Sequence, residues 1–199
     1  MIFNPLDIQT GDIVLINNTG NNLFKDWFSI AQRVITGQPY THTALGLNPV
    51  AGYGSLFEAD LIVGTRPFNR IYLNNQVEFE QYRPVGYTQK YLDDSLHTLF
   101  NLYAEEEYGF GQIPWLAWIK IMGRFGVDLR KAKSWFPGGV ICTQLVWHHL
   151  DTLGNLNPAL KIKVNEWTDH NLSAGDIADI IHAFVPNIFT LINQYKKPK

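Results

Sequence analysis

The sequence predicts an α+β fold, a small antiparallel sheet with helices packed on it. Short strand-like runs fill much of the first half, amphipathic helical patterns fill the second, and a turn-rich segment joins two of the runs as a hairpin. Gly11-Asp12 forms a turn, and 13–16 reads as a buried strand. Phe24, Trp27, Phe28, Ala31, Val34 and Ile35 share one helical face, which ends before Gly37 and Pro39. Strands follow at 41–47, 56–63 and 77–83, the first two joined by NPVAGYG. A helix is expected over 88–107, with Tyr91, Leu92, Leu96, Leu99, Phe100 and Tyr103 facing inward. Another starts at Cys142 and runs to Leu153, with Leu145, Val146, His149, Leu150 and Leu153 inward and Gly154 as its stop. Ser173 caps a last helix through Asp176 and beyond.

The 199 residues suit one domain spanning 1–199, with no repeat or low-complexity linker. A hydrophobic share of 46% and an aromatic share of 14% are globular rather than disordered. The formal charge of −2 argues against a nucleic-acid binder that relies on a positive field, and only Lys196, Lys197 and Lys199 cluster. One cysteine makes no internal disulfide, so the fold does not depend on an oxidising compartment. The start lacks a basic stretch followed by an apolar run, and no segment is long and apolar enough to cross a bilayer. The expectation is a soluble chain without a signal peptide, cytoplasmic or carried in a virion. Neither a metal nor a cofactor is expected, because HExxH, paired cysteines and a phosphate-cradling glycine motif are all missing.

Cys142 is the foremost candidate for chemistry. It follows WFPGGVI and opens a helix, whose partial positive charge stabilises a thiolate and whose N–H groups help hold an oxyanion. Gly138-Gly139 upstream would let a substrate backbone approach. Read alone, such a residue is more often a buried structural cysteine. His42, in YTHTALGL, lies on a strand where a histidine is commonly a core or edge residue. Hairpin pairing around Val50 places it opposite Glu58, about 5 Å away at Cβ, which is the arrangement that orients a catalytic imidazole. Asp60, two residues on, is the reserve acid; both carboxylates also suit a solvated strand edge. His97 reads as surface or packing, His148 and His149 lie about 9–10 Å along the helix from Cys142, and His170 and His182 have no companion residues.

Five motifs in order carry a resemblance: GDIVL, YTHTALGL, LFEAD, EEEYGFGQ and VICTQLVW. Together they resemble the circularly permuted NlpC-like cysteine peptidases, of papain-like fold. The subgroup is the YiiX-like one, and the lecithin:retinol acyltransferase-like proteins are related. The likeness runs from about Gly11 to Leu153. It implies His42 as base, Glu58 as its acid, Cys142 as nucleophile and Tyr108 as a residue beside the cysteine that positions substrate. The order His42, Glu58, Cys142 is similar to the permuted arrangement, in which the cysteine helix comes late. Thr143-Gln144 stands where Ser-Glu is usual, and an extra apolar segment occupies about 112–135. Its Trp115, Trp118, Ile119, Met122 and Phe125 would cover the groove, bind an apolar substrate group, dock on a protein partner, or simply pack in the core. The resemblance implies cleavage of an amide in a peptide or acyl-containing substrate, foremost a cell-wall peptide, with the Cys142 N–H and Tyr108 serving the oxyanion. Acyl transfer or lipid hydrolysis on the same fold, and a non-catalytic component of a phage particle or secreted complex, are the alternatives.

Overall fold

A computed structural model describes residues 7–18, 27–50, 53–60, 62–68, 77–134 and 139–195. Six strands, β1 (Ile13–Asn17), β2 (His42–Val50), β3 (Tyr53–Ala59), β4 (Val63–Pro67), β5 (Glu78–Pro84) and β6 (Phe189–Tyr195), form one sheet in the order β4-β3-β2-β1-β5-β6. Every neighbouring pair is antiparallel. The helices are α1 (Trp27–Thr36), α2 (Gln89–Tyr103), α3 (Gln112–Arg124), α4 (Cys142–Gly154), α5 (Pro158–Val164) and α6 (Ala174–Ala183). None is long and apolar enough to cross a membrane among the described residues.

β1 is apolar at four successive positions because it is central and covered on both faces. On one face Ile13, Leu15, Leu45, Phe57 and Tyr82 meet Leu92 and Leu96 of α2, Leu145 and Val146 of α4, and Ile177 and Ile181 of α6. On the other, Val14, Ile16, Ala44, Leu56 and Phe79 pack with Ile8, Phe68 and Val77. The first face is the larger core, and α4 crosses β2 and β3 within it. Two caps fix helix starts here. Thr88 accepts from Tyr91 N at α2, and Ser173 forms a capping box with Asp176 at α6, each worth about 1 kcal/mol.

Several expectations need correction. The run 56–63 is two strands, since the chain bends at Asp60 and Val63 belongs to β4. Phe100 and Val34 are exposed, because each lies at the margin of its helix's apolar stripe. Phe24 lies outside the described residues, as do Gly138 and the clustered terminal lysines. Gly154 is not a left-handed stop. It lies inside α4, and a Cβ there would meet Lys161 Cα at 3.0 Å, so it permits close approach of α5. The sequence reading omitted α5 and β6. Yet α5 carries a start signal, Asn157 accepting from Leu160 N with Pro158 next, while β6 is an edge strand of weak alternation.

Candidate active site

Cys142 is the first residue of α4, after Ile141 in extended backbone, and no acidic residue occupies the first turn. The helix field at the sulfur is therefore not offset locally. Two segments hold this entrance. Tyr108 and Val140 form a short parallel bridge, with Gly109 N donating to Val140 O at 3.0 Å and Val140 N to Glu107 O at 2.9 Å. The strands touch at two glycines, since a Cβ on Gly139 would lie 2.5 Å from Gly109 Cα. Gly139 also adopts φ +71°, which side-chain-bearing residues rarely do. Gln112, fully buried at the head of α3, donates from Nε2 to Gly139 O at 2.8 Å, and its Oε1 meets His170 Nδ1 at 3.2 Å.

Around the sulfur, sequence-distant residues converge. His42, the first residue of β2, meets Glu58 Oε2 through Nε2 at 2.7 Å, and the Cys142 sulfur lies near enough to raise its pKa. With Nε2 engaged, Nδ1 is the nitrogen left for the sulfur. The expected register differs in detail. Extending the Leu45–Phe57 pairing puts Ala44 across from Glu58 and His42 across from Asp60, so Glu58 reaches the imidazole diagonally. Glu58 is buried and also lies 3.5 Å from Arg66 Nη1. Asp60, the reserve acid, has a side chain 64% exposed and lies 3.4 Å from Arg66. Tyr108 approaches from the other segment, and the charge of the sulfur acts on its phenol.

The charges favour an ion pair. Burial alone raises the Cys142 thiol pKa, but the His42 charge and hydrogen bond, with two contacts from Thr43, outweigh it and hold the thiol below its ordinary value. Burial alone lowers His42, but the sulfur and then Glu58 raise it well above the ordinary histidine range. Burial and the adjacent sulfur both push the Tyr108 phenol up, keeping it a neutral donor. Cys142 is buried while His42 keeps 21% of its side chain exposed, so solvent meets the pair on the imidazole side. Thr43 and Gln112 are residues that sequence reasoning missed. Thr43 carried one signal, a hydroxyl next to His42 on the same face as Leu45.

The other histidines do have partners. His182 Nε2 meets Tyr82 Oη at 2.9 Å, and His170 contacts Gln112 and Asp169, so neither lacks companions as expected. His149 is buried between Ser95 Oγ and Gly11 O. In the apolar segment, Trp115 is unavailable to a partner or substrate, because it is buried and its Nε1–H donates to Asn171 Oδ1 at 2.7 Å. Ile119 is buried too, Met122 is partly covered, and Trp118 and Phe125 are exposed. A concavity of about 470 Å³ near Lys120, Arg130 and Trp167 includes no residue of the Cys142 cluster. Of its cations, Lys120 is paired with Asp176 and Arg130 with Asp128 and Glu166.

Among the described residues, no group of three or more His, Cys, Asp or Glu side chains is placed to hold a metal ion. No protein-family model matches the chain. No curated protein matches it either. Among solved structures, the crystal structure of the metalloprotein yiiX from Escherichia coli O157:H7 is similar, with a TM-score of 0.54 and 16% identity. The match covers 97% of this chain and 99% of that one, so the two share a fold from end to end.

Proposed function

We propose that this chain is a cysteine hydrolase of the permuted papain-like type that cleaves an amide bond, foremost in a cell-wall peptide. The observation that carries the reading is the meeting of the Cys142 sulfur with His42, whose far nitrogen lies 2.7 Å from Glu58. Cys142 is the nucleophile, His42 the general base and acid, and Glu58 the group that orients and charges the imidazole. The thiolate attacks the carbonyl carbon, and the new oxyanion takes hydrogen bonds from the Cys142 N–H and Tyr108. Collapse breaks the C–N bond, and the amine leaves with the proton from His42 Nδ1. Water then attacks the thioester while His42 takes its proton. The C–S bond breaks, its electron pair returns to sulfur, and the acid departs.

A second reading, transfer or hydrolysis of a lipid acyl group by the same thioester, is favoured by exposed Trp118 and Phe125 beside the partly covered Met122. Incubating the purified chain with muropeptides and with acyl lipids, then weighing the intact protein, separates the two. Peptide products and a peptidyl adduct on Cys142 support the amidase, and a fatty-acyl adduct supports the transferase. If neither substrate reacts faster than with Cys142→Ala, the thiol is structural and the chain is a non-catalytic component.

A further inference from the structure

We propose that the outer face of α3 and the connection after it form a docking surface for an anionic lipid bilayer, with the helix lying in the headgroup layer. The inference stands apart from the Cys142 chemistry and holds whichever bond that thiol attacks.

The apolar side comes from a helix with two apolar faces. Trp115 and Ile119 of α3 turn inward and are buried. Trp118 and Ile121, with Phe125 just past the helix end, recur at spacings of three and four and form a second stripe. All three are exposed, Phe125 by 79% and the other two by 42% each. Val34 of α1 is exposed beside the end of that stripe, where Arg124 Nη2 donates to Val34 O at 3.4 Å. Packing inside the protein accounts for the first stripe and leaves the second without a function.

The charge says what this face meets. Residues 112–134 carry five of the 16 lysines and arginines but one of the 18 acids, in a chain of net charge −2. That acid, Asp128, is paired with Arg130, and Lys120 is paired with Asp176. Arg124, Lys131 and Lys133 are exposed. Asp128 and Arg130 line one concavity with Arg124 and Val127 and a second with Lys131. The end of the stripe and the cations therefore border one stretch of surface. Aromatic side chains that enter the interfacial layer, edged by cations that reach lipid phosphates, are what an in-plane helix needs. A protein partner fits less well. The few apolar side chains here fall far short of the roughly 20–30 residues a side in a stable protein interface. Crossing the bilayer is not the mode either, since no helix among the described residues is long and apolar enough.

Sedimentation with vesicles is the test, using phosphatidylcholine alone and its equal mixture with phosphatidylglycerol. The wild-type chain is expected to bind the mixture at least about ten-fold more tightly, and salt should release it. Trp118→Ser/Phe125→Ser changes only exposed side chains and should weaken binding to the mixture by about ten-fold or more. Lys131→Glu/Lys133→Glu should bind the mixture no better than phosphatidylcholine. Cys142→Ala should bind as the wild type does, so this proposal and the hydrolase reading stand or fall in separate experiments. A wild-type chain that stays in the supernatant with both vesicles overturns the proposal. So does undiminished binding by either double variant with native circular dichroism. A chain that ignores vesicles but dimerises, with the serine variant running as a monomer, puts a second copy on this face and overturns it too.

Discussion

Helix α4 borders two imidazole–carboxylate pairs that look alike and differ in what completes them. At its N-terminus, His42 Nε2 sits 2.7 Å from a buried Glu58, and the ring's other side faces a sulfur. Further along the helix, His148 Nε2 sits 3.3 Å from Asp169 and 2.8 Å from the Tyr103 hydroxyl. Asp169 also accepts from Gln144 at 3.0 Å and lies 3.6 Å from His170. Every other partner in the second cluster is a neutral donor or a further imidazole, so the cluster ties α2, α4 and the segment before α6 together. The first has a thiol at a helix start. An acid beside a histidine thus occurs twice along one helix, and the third group is what distinguishes the two.

The largest expected contrast is in turnover. Cys142→Ala and His42→Ala should each cost at least ~10³-fold in hydrolysis of a productive peptide or acyl substrate, while His148→Ala should stay within about two-fold. Comparable losses at His42 and His148 would break the contrast. His149, on the same helix, tests an imidazole with no carboxylate. Its burial, partly offset by the Gly11 carbonyl, lowers its pKa to about 4. The Nε2–H therefore donates to Gly11 O while Nδ1 accepts from Ser95. The unfolded chain binds that proton near its ordinary 6.5 and the folded chain does not, so stability should fall as pH drops from about 6.5 to 4, by up to roughly 3 kcal/mol. Urea melts at several pH values should show this slope, and His149→Gln should flatten it.

Glu58→Gln should cost roughly 10²-fold in kcat. Because Glu58 helps raise His42, the same variant should draw in the alkaline limb of the pH–rate profile and leave the acid limb, set by the depressed Cys142, nearly in place. An unchanged alkaline limb would mean that the carboxylate does not charge the imidazole. The smallest effect belongs to the second cluster. Asp169→Asn should lower stability by about 1 kcal/mol, read by denaturant melts, with turnover little altered.

Much of this was legible in the residues, and the failures have physical causes. The Cys142 helix, its inward stripe and the Ser173 cap follow from local periodicity and capping chemistry, which act within a few residues. Glu58 was identified correctly as the histidine's neighbour, but through a register two residues off. Val50 is paired with Tyr53 and is not the turn, which displaces the register by three, and the bulge between Leu47 and Val50 takes back only one. Phe100 and Trp115 show how poorly an apolar letter reports its depth. Phe100 lies at the rim of its stripe, while Trp115 is drawn inside by a hydrogen bond to Asn171, 56 residues away. Companions of His170 and His182 come from other elements and were invisible along the chain.

The contact between Gly109 and Gly139 has a consequence for how this chain tolerates change. Neither residue carries a functional group, yet each occupies volume that the other's side chain would need. A methyl at either one would wedge apart the two segments that carry Tyr108 and Cys142. Substitutions there are therefore not independent events, and once one has opened the seam, the second has little left to disrupt. In a diverging lineage the two positions would behave as a single heritable character, fixed or lost together, though 30 positions separate them in the chain.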